Sequence, residues 1–316
     1  MKHIAFIIHS KIKRIDALLT TLGMVFSGDY TLNFHFTTHE KRSMELAESA
    51  IKNGSAYIIC VGGDGSLNEV VNGVMKAKEF VKDADIWAKI RIGLLPRGTG
   101  NDFAKTIGVT ADPALLKKYI DIDSYRAIDL GFAEFFYPNG EPALRYFINI
   151  TDIGMGGVVA QKLQNYSKWM GAAIRFQLAI ISTLMKYRKQ PVKVQSAEFN
   201  YEGEIMNLVI ANGKYFGNGL GISPDALPGD GLFSVVIIGN ISLIDYLKVQ
   251  ADVRKCKKLS HPEIQYRTCG NLSIQTAAGV LPIDMDGDFV GYSPLKLNIV
   301  PRAVNFLCAE TAGYLK

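Results

Sequence analysis

The chain has 316 residues, of which 48% are hydrophobic and 21% charged, and its net charge is +5. That is about two ordinary domains in length, and the composition excludes a disordered or low-complexity protein. A balance this mildly basic, without a clustered basic face, argues against nucleic acid as a partner.

The opening MKHIAFIIHSKIKR has an apolar run too short for a signal peptide and reads as a first strand, Ile4–Ile8. A helix near Arg14–Phe26, a strand Tyr30–Thr37 and a helix near His39–Asn53 follow. Then come an apolar strand at 56–61, a glycine turn and a helix, a strand Arg91–Leu95, a loop, and helices through Tyr119. Regular alternation predicts a parallel sheet with helices on both faces. After Asp123 the texture changes to short strand-like segments separated by Gly, Asn, Asp or Pro. These are Ala127–Phe132, Arg145–Ile150, Val192–Tyr201, Glu204–Ala211, Leu232–Ile238, Asn271–Thr276 and Leu295–Val300. Helices at about Trp169–Lys189 and Leu243–Lys257 interrupt this all-β pattern. The boundary falls near residue 125, and no internal repeat is visible. No stretch reaches the roughly 18 uncharged apolar residues of a membrane span.

Four cysteines (Cys60, Cys256, Cys269, Cys308) form no CxxC pair, so reduced thiols in a cytoplasmic protein are expected. The histidines show no ligand spacing. Chemistry is concentrated instead in glycine-rich stretches. In VGGDGSLNEVVNGV (61–74) a buried strand runs into a glycine turn, and Leu67, Val70, Val71 and Val74 then recur at helical spacing. Such a junction exposes backbone N–H groups at the positive end of a helix, a place suited to phosphate. Gly62, Gly63 and Gly65 would give the backbone freedom and let a ligand approach. A plain βα turn is the alternative. A second loop, PRGTGNDFAKTIGV (96–109), follows the next strand and should lie on the same carboxyl edge. Neither loop is a Walker or GxGxxG sequence. GMGGVV (154–159) reads as a turn or bulge.

In the second half, ISPDALPGDGLF (222–233) places Asp225 and Asp230 among free carbonyls, right for a hard cation. IDMDGDF (283–289) spaces Asp284, Asp286 and Asp288 at every second residue. In a regular strand they would share one face; an exposed acidic turn is the other reading. The 169–189 segment carries Trp169, Met170, Phe176, Ile180 and Ile181 with Lys186, Arg188 and Lys189 at its end, and RKCKK follows at 254–258. It suits either docking on anionic headgroups or a core helix with a solvated basic end.

Together these motifs resemble the diacylglycerol kinase catalytic family, in particular the bacterial lipid kinases related to sphingosine kinases. GGDGSLNEVVNG, PRGTGNDFAKTIG, SPDALPGDGLF and DGD stand in the family's order over nearly the whole chain. The resemblance implies an α/β nucleotide-binding domain at 1–125, to which 302–316 returns, and a β-sandwich lipid-substrate domain at 126–301. It implies magnesium-dependent transfer of the ATP γ-phosphate to a lipid hydroxyl at the cleft between domains, in a cytoplasmic protein that is peripheral at the inner membrane surface. A homodimer is compatible with it.

Carried over by residue, the resemblance gives Thr37, Gly62, Gly63, Asp64, Gly65, Ser66, Asn68, Glu69 and Thr99 to ATP. Asp230 with the carbonyls of Leu227 and Leu232 would hold structural magnesium. Asp288, with Asp286 beside it, forms the catalytic set. The family commonly has Glu as final acid, so Asp288 is one methylene shorter. Where relatives carry an Asn-Pro-x-x-Gly-type loop after strand one, this chain has Ile8-His9-Ser10-Lys11. Two rivals stand beside this reading: an NAD kinase, which also uses a Gly-Gly-Asp-Gly loop, and a catalytically silent lipid- or nucleotide-binding protein.

Overall fold

The structure is a computed structural model that describes residues 2–39, 41–166, 171–277 and 279–310. It divides into two compact units, Met1–Ile128 with Arg302–Lys316, and Asp129–Pro301.

In the first unit the order is β1 (Lys2–Ile8), α1 (Ile15–Val25), β2 (Tyr30–Phe36), α2 (Arg42–Lys52), β3 (Tyr57–Gly62) and α3 (Asp64–Lys78). Next come α4 (Ala84–Lys89), β4 (Arg91–Pro96), α5 (Asp102–Ile107), α6 (Pro113–Asp121) and the start of β5 (Tyr125–Phe136). The strands are parallel in the order β4-β3-β1-β2. β3 is buried throughout, as its continuous apolar run requires of a strand covered on both faces. The predicted apolar face of α3 holds: Leu67, Val70, Val71 and Val74 are fully enclosed. α2 lies close on α3, because Gly73 has no Cβ to meet the Met44 carbonyl oxygen, which would stand 2.2 Å away. The chain's last described strand returns here. Its Phe306 pairs beside Ile92 of β4 and meets Phe103 edge-on at 5.4 Å. Ser124 Oγ donates to the Cys308 carbonyl at 2.7 Å, fastening its end.

The second unit takes up the rest of β5, then β6 (Pro142–Phe147), β7 (Ile150–Gly154), α7 (Met155–Asn165), α8 (Ala172–Leu184), β8 (Gln190–Gln195), β9 (Asn200–Ile205) and β10 (Asn207–Ala211). The short β11 (Tyr215–Phe216) and β12 (Leu220–Gly221) precede β13 (Phe233–Ile238), α9 (Leu243–Arg254), β14 (Ile264–Cys269), β15 (Asn271–Thr276), β16 (Pro282–Met285) and β17 (Asp288–Leu307). Pairing is antiparallel, β14-β13-β10-β7-β16-β17 in one run and β9-β8-β15-β17 in another. Stacked Phe147 and Phe233 mark the core of this sandwich-like unit. β10 serves two cores by strand alternation: Leu208 and Ile210 enter that one, while Val209 and Ala211 enter another beneath α8 and α9.

Several predicted elements are corrected here. GMGG is no turn, since Met155 begins α7. The single strand expected over 192–201 is a hairpin, β8 and β9, whose turn is closed by Ser196. The strand expected over 145–150 breaks at Ile148 and Asn149, between β6 and β7. The helix expected from 169 is seen as α8, and Trp169 and Met170 lie outside the described residues.

Candidate functional site

In the first unit the two glycine loops meet. β3 ends at Gly62, and Gly63 precedes α3 in extended backbone, with φ −104° and ψ −169°. None of Gly62, Gly63 and Gly65 takes a left-handed conformation. At Gly62 and Gly63 the reason is proximity, which corrects the expectation of unusual backbone angles. A Cβ on Gly62 would fall 2.7 Å from Ser66 Cβ, and one on Gly63 would fall 2.9 Å from the Cα of Gly98. Arg97 N–H donates to the Gly62 carbonyl at 2.7 Å. Asn101, at φ 51°, closes the second loop by accepting from Gly98 N–H and donating to the Gly98 carbonyl.

Asp64 binds the loops together. Its two carboxylate oxygens accept from the N–H groups of Asp102 and Phe103, each at 3.1 Å, and so cap α5. Burial raises its pKa, and the neighbouring Asp102 charge adds to the rise. No side chain caps α3 itself, and its first helical bond runs from Leu67 to Gly63. The N–H groups before Leu67 therefore lack helical acceptors, at the positive end of a long helix.

The other nucleotide candidates divide into two groups. Thr37 is 5% exposed, and its Oγ1 accepts from Ser10 N–H at 3.1 Å, joining the loops after β2 and β1. Ser66 sits in the first turn of α3 and Thr99 is exposed in the loop before α5, so both lie at the sheet's carboxyl edge. Asn68 and Glu69 are engaged elsewhere. Asn68 is fully enclosed and accepts from Asn72. Glu69 accepts from Lys41 and Ser43 N–H at 2.9 and 3.1 Å, at the start of α2.

In the second unit the 227–232 loop gathers oxygen donors. Asp230 N–H donates to the Leu227 carbonyl, and Leu232 N–H donates to Asp230 Oδ1 at 3.0 Å. Asp129, an acid inside the apolar strand β5 and wholly buried, accepts from Gly231 N–H at 2.7 Å. Burial raises the Asp230 pKa, and the nearby Asp129 charge raises it further. Two carboxylates amid carbonyls form an all-oxygen donor set whose mutual repulsion a hard cation would relieve, so these residues fit magnesium. Asp225 is elsewhere, in an ion pair with Lys258 at 2.7 Å.

The DMDGD stretch is a hairpin, not one face of a strand. Met285 pairs with Asp288, and between them Asp286 and Gly287 take φ values of 50° and 90°. Asp-Gly is the preferred dipeptide for a two-residue turn that needs both residues left-handed. The Asp286 carboxylate folds back to accept from the N–H groups of Ile148, Asn149 and Ile150, each at 3.0 Å. It is thus a fastener for the turn. Asp288 opens β17, is exposed, and has Arg145 Nη2 at 3.6 Å from Oδ2. Asp129, Arg145 and the buried Asp152 of β7 were not among the predicted site residues. A lone acid inside an apolar strand was the available signal for Asp129 and Asp152.

Comparison with known proteins agrees with this organisation. Residues 150–308 match the family model described as YegS C-terminal NAD kinase beta sandwich-like domain, and residues 3–133 match the diacylglycerol kinase catalytic domain. The chain belongs to this diacylglycerol kinase and YegS family. A "Probable lipid kinase YegS-like" of Shewanella frigidimarina is 24% identical over 97% of this chain and 94% of its own length. A "Diacylglycerol kinase" of Bacillus subtilis is 25% identical over 84% of this chain and 82% of its own. In fold, a crystal structure of a diacylglycerol kinase from Bacillus anthracis superposes with a TM-score of 0.68 at 20% identity, covering 97% of this chain and 96% of that one. Yeast NADH kinase gives 0.51 at 9% identity, covering 100% of this chain and 85% of that one.

Proposed function

We propose that this chain is a lipid kinase that moves the γ-phosphate of ATP to a lipid hydroxyl. The observation that carries the reading is the junction of Gly62–Ser66 with Gly98–Asn101, where the uncapped start of α3 offers backbone N–H groups to phosphate. Phosphoryl transfer asks for positioning and charge stabilisation more than covalent chemistry, and Asp64 supplies the positioning by tying both loops to α5. Asp288 takes the proton of the acceptor hydroxyl, with Arg145 orienting it and Asp286 holding the turn. Magnesium held by Asp230 with the carbonyls of Leu227 and Leu232 would offset the repulsion that the Asp129 charge exerts on Asp230. Relatives named as lipid kinase and diacylglycerol kinase support a lipid acceptor.

No helix among the described residues is long and apolar enough to cross a membrane. Exposed Ile174, Leu178 and Met185, followed by exposed Lys186 and Arg188, suit peripheral contact of a cytoplasmic protein with an anionic lipid surface. A second reading, phosphorylation of NAD(H), is favoured by the likeness to NADH kinase. One experiment separates them: γ-labelled ATP offered to the protein with total lipid extract, with diacylglycerol and with NAD. Label in a lipid is expected. Label in NAD alone, or in nothing, would remove the lipid-kinase reading.

A further inference from the structure

The GMGG stretch opens α7 over buried Asp152 and its half-buried neighbour Asp284. Asp152, in the middle of β7, stands opposite Asp284 of β16 in the antiparallel register. Asp152 is 1% exposed, and neither of its carboxylate oxygens has a hydrogen-bond partner. Asp284 Oδ1 is equally enclosed and unpartnered, as is the Tyr187 hydroxyl. Glycines let the helix settle onto this spot. A Cβ on Gly156 would lie 2.0 Å from Asp152 Oδ1, and one on Gly157 would lie 2.2 Å from the Pro282 carbonyl oxygen.

The surroundings hold little to neutralise two charges. From α7 the pair meets glycine; the one charged side chain of that helix, Lys162, donates to Ser182. β10 contributes neutral Asn207, whose Oδ1 accepts from Gly156 N–H and whose side chain partly offsets the rise at Asp152. The segment after α8 contributes Tyr187, and the hairpin contributes Asp286 and Asp288, both acids. Arg145 of β6 lies on Asp288. Burial raises both pKa values, and the Asp284 value is raised further by Asp152 and then by Asp288 and Asp286. Two adjacent carboxylates with no cation beside them, aided only by the Asn207 side chain and the Gly287 N–H, cannot both ionise at tolerable cost; a single proton held between them resolves the conflict.

We propose that Asp152 and Asp284 share one proton, and that the remaining negative charge of this pair raises the basicity of Asp288 across the turn of the same hairpin. The pair thereby acts as a positioning and tuning element for the proton acceptor. The part that concerns Asp288 rests on the kinase reading.

The test has two arms, with Asp284→Asn and Asp152→Asn as parallel variants. The first arm measures melting temperature against pH, independent of activity. The folded pair keeps a proton that the unfolded chain releases near pH 4. Wild-type stability should therefore fall as pH rises from there towards neutrality, and either Asn variant should flatten that fall. Parallel curves for all three proteins would overturn the proposal. So would a magnesium or calcium addition that raises the melting temperature of the wild type alone, since a metal would then occupy the proton's place. The second arm measures kcat/KM against pH with a phosphorylated lipid. Its acid limb should move to lower pH in Asp284→Asn, by several tenths of a unit or more, because the pair's negative charge is then confined to Asp152, on the strand beyond the one that carries Asp288's hairpin. An unmoved limb with a reduced rate would overturn the tuning role. A wild type that phosphorylates no lipid would sink the kinase reading instead, and the melting arm would still decide whether the proton is shared.

Discussion

Gly63 and Gly98 touch backbone to backbone: a Cβ placed on Gly98 would lie 2.4 Å from the Cα of Gly63. Two loops that are distant in sequence are thus one structure, and neither can shift alone. Gly98→Ala should force them apart, lowering stability by about 1–3 kcal/mol, as overpacking against backbone does. Nucleotide affinity should fall with it. Urea unfolding and calorimetric titration with MgATP check both effects, and a variant as stable and as tightly binding as wild type would refute the coupling.

Asp64 spends both carboxylate oxygens on the start of α5. Asp64→Ala should cost about 1–2 kcal/mol as a lost cap and should weaken MgATP binding by freeing the 97–101 loop. Asp64→Asn keeps one acceptor oxygen and should fall between the alanine variant and wild type. Thermal melts and calorimetry on the three proteins give the order directly.

The paired acids of the 227–232 loop make stability sensitive to a cation. Magnesium should raise the melting temperature of the wild type and leave that of Asp230→Asn unchanged, because the variant loses the ligand and relieves the repulsion from Asp129. Differential scanning calorimetry with and without chelator is the measurement; equal response of both proteins would count against the ion.

Asp288→Asn preserves size while removing the proton-accepting charge. Turnover should drop by about two to four powers of ten, with little change in the ATP dissociation constant. Asp288→Glu should keep a large share of activity, since it extends the carboxylate by one methylene. Single-turnover phosphorylation of a competent lipid decides the matter, and a near-wild-type rate for the Asn variant would remove Asp288 as base.

Much of this was legible in the residues. Leu67, Val70, Val71 and Val74 announce the buried face of α3, and both glycine loops could be located on one sheet edge before any coordinates. Less legible was why glycine is needed. At Gly62, Gly63 and Gly98 the cause is a neighbour's proximity, which belongs to tertiary packing, and pattern reading supplied local backbone freedom instead. The same gap explains Glu69: helical spacing places it at the start of α3, but only the approach of α2 gives its carboxylate the N–H groups of Lys41 and Ser43. At 284–288 the Asp-Gly turn signal was present in the sequence, and the alternation of acids outweighed it. Asp129 and Asp152 stand in apolar strands, where burial depends on partners the sequence does not name.

The return of Phe306 to the edge of β4 orders events in time. The first unit lacks its last strand until the chain has been made through residue 307, long after its other strands have left the ribosome. At ~5–20 residues per second, roughly ten to thirty-five seconds of synthesis separate residue 128 from residue 302. During that interval Ile92 presents an open strand edge and Phe103 an uncovered ring, features that invite pairing with the wrong chain. A gene interrupted between the codons of Phe103 and Phe306 would leave that edge open for the life of the product.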